Sequence, residues 1–211
     1  SRRFPSYLAP AMTQLPELPL TLSRQEIRKM IRQRRRALTP EQQQEMGQQA
    51  ATRMMTYPPV VMAHTVAVFL SFDGELDTQP LIEQLWRAGK RVYLPVLHPF
   101  SAGNLLFLNY HPQSELVMNR LKIHEPKLDV RDVLPLSRLD VLITPLVAFD
   151  EYGQRLGMGG GFYDRTLQNW QHYKTQPVGY AHDCQLVEKL PVEEWDIPLP
   201  AVVTPSKVWE W

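Results

Sequence analysis

A glycine-rich segment late in the chain carries the residue types best suited to bind a ligand. Four of the ten glycines lie within five residues, at positions 157, 159, 160 and 161, and Arg155 and Arg165 flank them. Such a density of glycine indicates positive φ angles or a backbone pressed close to a ligand. Successive N–H groups at the start of a helix, together with an arginine, bind phosphate oxygens well. The segment therefore predicts a phosphate-binding loop.

Two widespread glycine motifs do not describe this segment. The Walker loop requires a lysine followed by serine or threonine after its last glycine, and Phe162 and Tyr163 stand there instead. A dinucleotide-binding fingerprint that starts at Gly157 would need glycine or alanine at position 162. A tight turn between a strand and a helix, without a ligand, remains the alternative.

The elements around this loop are those of an α/β protein. The most hydrophobic stretch, residues 140–149, predicts a strand that leads into the loop, and a helix should begin near Phe162. Helices are also predicted at 39–56 and 80–88, and strands at 66–72, 91–97, 104–110 (antiparallel or at an edge), 177–181 and 201–204. This order predicts a single-domain, three-layer α/β/α sandwich with a mainly parallel sheet, whose ligands bind beyond the carboxyl ends of the strands.

A basic segment near the N-terminus is a second candidate for contact with an anion. It follows a proline-rich lead-in at residues 1–22, which we expect to be flexible. Ser23 and Glu26 have the spacing of a capping box at the start of a helix. Arginines recur at intervals of four on this helix, at positions 24, 28, 32 and 36. From charge pattern alone, this face is either solvated or a nonspecific contact for nucleic acid.

Composition bounds the class of protein. The chain of 211 residues has the size of one ordinary domain, which we expect to span residues 23–211. The single cysteine, Cys184, excludes an internal disulfide framework and a cysteine-based zinc site. No apolar stretch reaches the roughly 20 residues of a membrane-spanning helix, and the net charge of +1 gives no global attraction to polyanions. We expect a cytoplasmic monomer with small-molecule partners, without nucleic acid or membrane.

Three carboxylates lie where a ligand or its metal could meet them. Glu75 follows the predicted strand 66–72, a place where carboxylates are most often solvated or cap the next helix. Asp164 could simply complement the dipole of its helix, and Asp196 could be an ordinary turn residue. As a pair, the two aspartates also suit Mg²⁺, which at a nucleotide takes one or two carboxylates together with phosphate oxygens.

The residues around the glycine loop resemble a known family, the 5-formyltetrahydrofolate cyclo-ligases, also called methenyltetrahydrofolate synthetases. Residues 145–165 contain that family's succession of a hydrophobic strand, Phe-Asp, a spaced glycine, Arg-Leu-Gly, further glycines and Tyr-Asp. Further matches lie at residues 71–78 and 123–126, at Gln185 before 190–191, and at Asp196 before 202–204. With the basic helix, the resemblance covers roughly residues 23–205.

The resemblance implies a role for each matching residue. The residues that would bind ATP are Arg24, Arg28, Arg155, Leu156, Gly157, Met158, Gly159, Gly160, Gly161, Phe162 and Tyr163. Those that would bind the folate are Phe72, Glu75, Glu125 and Tyr163, with Glu75 on the pterin ring. Arg155 and Tyr163 would take part in catalysis, and Asp164 and Asp196 would hold Mg²⁺. Arg24 departs from the family's lysine, and Phe72 stands where relatives often have methionine.

By resemblance, the protein is expected to convert 5-formyltetrahydrofolate to 5,10-methenyltetrahydrofolate in an ATP- and Mg²⁺-dependent reaction that releases ADP and phosphate. Two other functions remain open on the residues alone. One is another ATP-dependent ligase or kinase of small molecules, because the bare residues support phosphate chemistry better than folate binding. The other is a nucleic-acid-binding module built on the basic helix, although the late glycine loop counts against it.

Overall fold

The computed structural model describes residues 22–211 and contains twelve strands within that range. The predicted lead-in lies, apart from Leu22, outside the described residues. The strands are β1 Thr65–Ala67, β2 Arg91–Leu97, β3 Leu105–Tyr110, β4 Leu116–Met118, β5 His124–Pro126, β6 Val133–Leu134, β7 Val141–Thr144, β8 Ala148–Phe149, β9 Arg155–Leu156, β10 Gln176–Tyr180, β11 Ala201–Val203 and β12 Val208–Glu210.

Eight of these strands form one sheet in the order β12-β11-β10-β7-β1-β2-β3-β6. The five strands from β11 to β2 are parallel to one another, whereas β12 at one edge and β3 and β6 at the other pair antiparallel. The remaining strands form two short hairpins, β4–β5 and β8–β9. The predicted α/β fold with a mainly parallel sheet is therefore confirmed, as is the antiparallel pairing of β3.

Five α-helices and four single turns of 3-10 helix accompany the described strands. The α-helices are α1 Arg24–Arg36, α2 Pro40–Met54, α3 Pro58–Met62, α4 Gln79–Arg87 and α5 Phe162–Leu167. The 3-10 turns are Val130–Asp132, Leu136–Arg138, Trp170–His172 and Asp183–Gln185. Within residues 22–211, none of the helices combines the length and the apolar character that crossing a membrane requires.

The predicted capping box of α1 is present. The Ser23 hydroxyl accepts a hydrogen bond from the N–H of Glu26 at 3.0 Å, and the Glu26 carboxylate accepts one from the N–H of Ser23 at 2.7 Å. The sequence predicted that the second helix would stop before Pro58, but not that α3 would begin there. Proline suits the first turn of a helix, because its missing N–H would find no partner in that turn anyway.

The two faces of the sheet are covered differently. Val66 and Ala67 point to opposite faces, as successive residues of a strand must. On the side of Val66 lies a large core formed with α2, α3 and α4. On the side of Ala67 the cover is thinner and includes Leu167 of the short helix α5. A third apolar cluster joins α1 to the β8–β9 hairpin beside the sheet.

Two predicted strands are shorter than the hydrophobic pattern indicated. The strand expected at 66–72 ends at Ala67, and the chain after it leaves the sheet. The strand expected at 140–149 divides at Pro145: β7 belongs to the main sheet, and β8 pairs with β9 instead. Pro145 cannot donate a ladder hydrogen bond, which favours a break at this position, although β2 and β10 of the same sheet accommodate Pro95 and Pro177. The hydrophobic pattern continues past each strand end because the residues that follow, as far as Phe69 and Phe149, are still largely buried.

We expect Ile31→Ala to lower the free energy of unfolding by about 2–5 kcal/mol, the usual result of truncating a fully buried isoleucine. Ile31 is 0% exposed and lies in the cluster that attaches α1 to the β8–β9 hairpin. Urea denaturation would measure the change. Met62→Ala is the control, because Met62 is 77% exposed and its loss should cost less than about 0.5 kcal/mol. Equal losses in both variants would contradict the assigned packing of α1.

Candidate active site

A cavity of about 540 Å³ opens beyond the carboxyl ends of β1, β2 and β7. Its position is the one predicted for a ligand in a parallel sheet. All of the predicted site residues line it except Leu156 and Asp196. They come from α1, from the turn after β1, from β5, and from the segment between β9 and α5. The fold thus joins the two arginines of α1 to the glycine loop, although more than a hundred residues separate them.

The two exceptions lie behind the cavity wall. Leu156 is buried with Ile31 in the cluster beneath α1, and its carbonyl oxygen accepts a hydrogen bond from the N–H of Val147 at 2.7 Å. The side chain of Leu156 therefore anchors the loop and does not line the cavity. Asp196 is also buried, next to Arg24.

The backbone of the glycine loop is left-handed at two positions. Gly159 has φ 112° and Gly161 has φ 71°, and Gly161 leads directly into α5. Positive φ is not found at Gly157 or Gly160, where close approach accounts for glycine instead. A Cβ atom at Gly160 would lie 2.8 Å from the ring of Phe162, and one at Gly157 would lie 3.1 Å from the Arg155 guanidinium. Positive φ therefore favours glycine at two of the four positions, and a closely approaching side chain favours it at the other two.

Arg28 and Arg155 both contact the glycine loop. The Nε of Arg28 donates a hydrogen bond to the carbonyl oxygen of Gly157 at 2.9 Å. Arg155 is buried, and its Nη1 donates to Asp164 Oδ1 at 3.2 Å. Burial lowers the pKa of Arg155 from its ordinary value, while the negative charge of Asp164 acts in the opposite direction. Arginine stays charged in proteins, so the loop is in contact with two cations.

Asp196 forms an ion pair with Arg24. The guanidinium grips both carboxylate oxygens, at 2.9 Å and 3.2 Å, and the N–H of Glu193 donates to the same carboxylate at 2.7 Å. Asp164 lies near this pair, because its Oδ1 accepts a hydrogen bond from the N–H of Ile197 at 3.1 Å. Two residues predicted for different ligands, Arg24 for phosphate and Asp196 for metal, therefore bind each other in this structure.

These side chains could hold Mg²⁺ only together with a bound ligand. Asp164 lines the cavity beside the glycine loop and offers the hard oxygen ligand that Mg²⁺ prefers. Asp196 could join it only if Arg24 turned away, for example onto a phosphate group. Between residues 22 and 211, no group of three or more histidine, cysteine or acidic side chains could hold a metal ion. An ion here would depend on oxygens brought by the ligand.

Glu75 and Glu125 lie at the other end of the cavity. Glu75 is 8% exposed, and its Oε1 accepts a hydrogen bond from the N–H of Phe72 at 3.0 Å. Burial raises the pKa of Glu75 to about 7, against the opposing effects of that hydrogen bond and of Arg35. Glu125 Oε2 accepts from the N–H of Leu97 at 3.1 Å, which fixes β5 against the end of β2. The apolar surface between them includes the half-exposed ring of Phe72.

Comparisons with known proteins agree with this geometry. A model of the 5-formyltetrahydrofolate cyclo-ligase family matches residues 21–205. The chain belongs to this family. The match spans nearly the same residues as the resemblance found in the sequence. Family membership favours an enzyme over a nucleic-acid-binding module.

Relatives in the family include bacterial proteins. A 5-formyltetrahydrofolate cyclo-ligase of Haemophilus influenzae is 53% identical over 179 residues, which cover 85% of this chain and 96% of that protein. One from Mycolicibacterium smegmatis is 31% identical over 188 residues, with coverage of 88% and 95%. The solved 5,10-methenyltetrahydrofolate synthetase of Aquifex aeolicus superposes with a TM-score of 0.76 at 28% identity, covering 89% of this chain and 92% of that one. The synthetase structure from Mycoplasma pneumoniae, at 21% identity and TM-score 0.69, shares the fold.

Sequence reasoning missed several residues of the cavity wall. Asn119 and Trp195 line it, but neither stands in a motif whose spacing indicates a site, and His124 also lines it although only its neighbour Glu125 was assigned a role within the matching segment 123–126. The Nδ2 of Asn119 donates to Glu125 Oε2 at 3.0 Å, so it orients a predicted residue. Gln185, which matched the family, lies outside the cavity; its Nε2 donates to the carbonyl oxygen of Leu146 at 2.7 Å and supports the chain after β7.

We expect Glu75→Gln to stabilise the ligand-free protein, and more so at high pH. Because burial raises the pKa of Glu75 from 4.5 to about 7, the folded state keeps a proton that the unfolded chain loses between those values. The stability of the wild type therefore falls as pH rises through that range. The gain of the variant in free energy of unfolding should be about 3 kcal/mol at pH 8 and about 1 kcal/mol at pH 5.

Denaturant titrations at both pH values would measure this gain. Glu83→Gln is the control, because Glu83 is an exposed carboxylate on α4 and its replacement should change little at either pH. A Glu75→Gln variant less stable than wild type at pH 8 would show that Glu75 is held as a favourable ion in the folded protein.

Proposed function

We propose that this protein cyclises 5-formyltetrahydrofolate to 5,10-methenyltetrahydrofolate while it converts ATP to ADP and phosphate. The observation that carries the proposal is that one cavity is lined by a glycine loop, by the two arginines that contact this loop, and by the buried carboxylate of Glu75. The family names its members for this folate conversion, and the cavity has the two chemically different ends that the two substrates require.

The phosphate end would hold the triphosphate. The loop from Gly157 to Gly161 offers backbone N–H groups, and Arg28 and Arg155 supply positive charge. A triphosphate carries several negative charges, which charge-assisted hydrogen bonds from arginine bind strongly. Arg28 contacts the loop through the carbonyl oxygen of Gly157, and its other N–H groups, which bond to no other described residue, could turn toward a ligand.

The other end would hold the folate. A pterin ring is flat and apolar on its faces, and it carries N–H donors on its edge. Phe69, Leu94 and Ile123 contribute apolar surface to the cavity wall. The carboxylate of Glu75 would accept the pterin N–H groups, and a buried site strengthens such a bond because water does not compete there.

The residues of this chain would assist the reaction by alignment and charge. The formyl oxygen attacks the γ-phosphorus of ATP, ADP leaves, and the resulting imidate phosphate is attacked by the second folate nitrogen, which expels phosphate. Arg155 and the loop N–H groups would neutralise the charge that develops on the phosphoryl oxygens. Burial raises the pKa of Tyr163, so its hydroxyl stays protonated and can donate a hydrogen bond to a reacting oxygen. No covalent nucleophile of the protein is required.

Asp164 would hold Mg²⁺ at the triphosphate, joined by Asp196 when Arg24 is drawn to a phosphate group. The ion supplies further positive charge to the phosphate oxygens. Arg24, released from Asp196, would then bind phosphate through the same planar fork that grips the carboxylate in this structure.

We expect Arg28→Ala to weaken ATP binding by roughly 10- to 100-fold, the scale of a hydrogen bond to a charged group, and to leave folate binding nearly unchanged. Arg28 contacts the glycine loop through Gly157, and no contact between Arg28 and Glu75 is found among the described residues. Isothermal titration with each ligand would measure both affinities. Lys29→Ala removes the same charge from an exposed neighbouring position and serves as control. If ATP and folate affinities fell equally, Arg28 would not belong to the phosphate end.

Isotopic labelling tests the chemistry. If the formyl oxygen is phosphorylated, oxygen-18 placed in the formyl group should appear in inorganic phosphate, because that oxygen leaves with phosphorus when the ring closes. Phosphate release should also require the folate and match the methenyl product one to one. Mass spectrometry of the released phosphate gives the result. Label that is lost to water or retained in the folate would exclude this route.

A further inference from the structure

The turn that presents Glu75 to the cavity is conformationally unusual. Asp73 has φ 54° and Gly74 has φ 77°, so two successive residues lie in the left-handed region. Asparagine and aspartate tolerate this region better than most residues, but a side chain there still needs support from its surroundings. The turn directs Glu75 inward, where its carboxylate is buried. Contacts outside the turn must therefore fix this conformation.

Arginines of α1 surround Asp73. Arg36 lies 3.4 Å, Arg35 3.6 Å and Arg32 4.0 Å from its carboxylate oxygens. The side chain of Arg35 is 6% exposed, whereas that of Arg36 is 65% exposed. Exposed ion pairs contribute little to stability, so the buried cation is the one able to hold the turn. A Cβ atom on Gly74 would lie only 3.3 Å from the Cβ of Arg35, which places this arginine directly against the turn.

Arg35 is not fully satisfied by its contacts. Its Nε is buried and has no hydrogen-bond partner among the described residues. A buried cation with an unpaired N–H is costly, and an apolar residue would pack at less expense in free energy. Packing alone therefore does not account for an arginine at this position. Its charge acts on the acidic groups nearby, since Arg35 lowers the pKa of Glu75.

The same helix also contacts the phosphate end of the cavity. Arg28 binds the carbonyl oxygen of Gly157, and Arg35 follows seven residues, or about 10 Å, further along the helix axis. A helix is stiff over two turns, so α1 fixes the separation between the glycine loop and the turn of Glu75. Each end of this spacer is attached to the cavity wall by an arginine.

We propose that Arg35 is a positioning residue, which holds Asp73 and thereby fixes the Glu75 carboxylate at the distance from the glycine loop that the reaction requires. This inference rests on the proposed function. It adds a residue that lies outside the cavity lining and outside the motifs of the sequence.

Arg35→Met keeps the length of the side chain and removes its charge. We expect the KM for the folate to rise about tenfold while the KM for ATP changes by less than about twofold. Arg35→Lys should recover most of the folate affinity. Arg36→Met removes an exposed partner of Asp73 and should behave like wild type. Equal rises in both KM values, or no recovery with lysine, would indicate that Arg35 only supports the fold and would overturn the proposal.

A pH profile of folate affinity provides the readout that a purely structural role would not move. The charged and titratable groups around Glu75 are Arg35, Asp73 and, across the cavity, Tyr163. His182, whose ring contacts the carbonyl oxygen of Gly74, is neutral because burial lowers its pKa to about 4. Arg35 lowers and Asp73 raises the pKa of Glu75. The midpoint of the profile should therefore move to higher pH in Arg35→Met and to lower pH in Asp73→Asn. Unmoved midpoints in both variants would refute the coupling.

Glu75→Gln distinguishes this inference from the proposed function. If Glu75→Gln binds the folate as wild type does, Glu75 has no folate role and the proposed function loses its folate end. If Glu75→Gln loses folate affinity but Arg35→Met and Asp73→Asn keep it, only the positioning inference fails. Asp73 is 40% exposed, so Asp73→Asn should fold even if the Arg35 variants are unstable.

Discussion

The apolar contact of Ile27 and Ile31 with Val147 and Leu156 determines where the charges of the site lie. It joins α1 to the β8–β9 hairpin, and that hairpin continues directly into the glycine loop. Without this contact, the arginines of α1 would have no fixed relation to the loop. A nondirectional interaction thus sets the geometry in which the directional hydrogen bonds can form.

Asp150 stabilises the hairpin from its other side. Its buried carboxylate accepts hydrogen bonds from the N–H groups of Tyr152 at 2.9 Å, Gln154 at 3.1 Å and Leu190 at 2.8 Å. Three donors satisfy a buried carboxylate without a cation. The Phe-Asp pair of the sequence pattern is therefore structural: it closes the turn that leads to Arg155.

The sequence predicted those parts of the molecule whose signals are local. The capping box at Ser23 spans four residues, and the glycine loop spans five. The parallel framework follows from hydrophobic runs separated by helical spacing. The end of the central strand at Pro145 was missed because the residues on both sides of it are equally apolar and equally buried. The β4–β5 hairpin, for which no strands were predicted, brings Glu125 to the cavity, because its polar residues give no clear strand pattern.

The sequence could not predict pairings between distant residues, for a different reason. Arg24 and Asp196 are 172 positions apart, and each has several plausible partners by charge alone. Only the packing of α1 beside the segment of Asp196 selects this pair. The resemblance to the family gave each residue a ligand, but not the fact that the two neutralise each other in this structure.

The two arginine–aspartate pairs, Arg24 with Asp196 and Arg155 with Asp164, have a consequence for selectivity. Each arginine already forms an ion pair with an aspartate. An anion that binds the arginine in its place leaves a poorly solvated aspartate without a partner, and breaking a buried pair in this way costs about 3–5 kcal/mol. Free phosphate or sulfate brings nothing to offset that cost. A polyphosphate that arrives with a divalent cation supplies a new partner to the arginine and to the aspartate together. The site would therefore select its ligand by an exchange of ion pairs, and abundant simple anions would compete poorly for it.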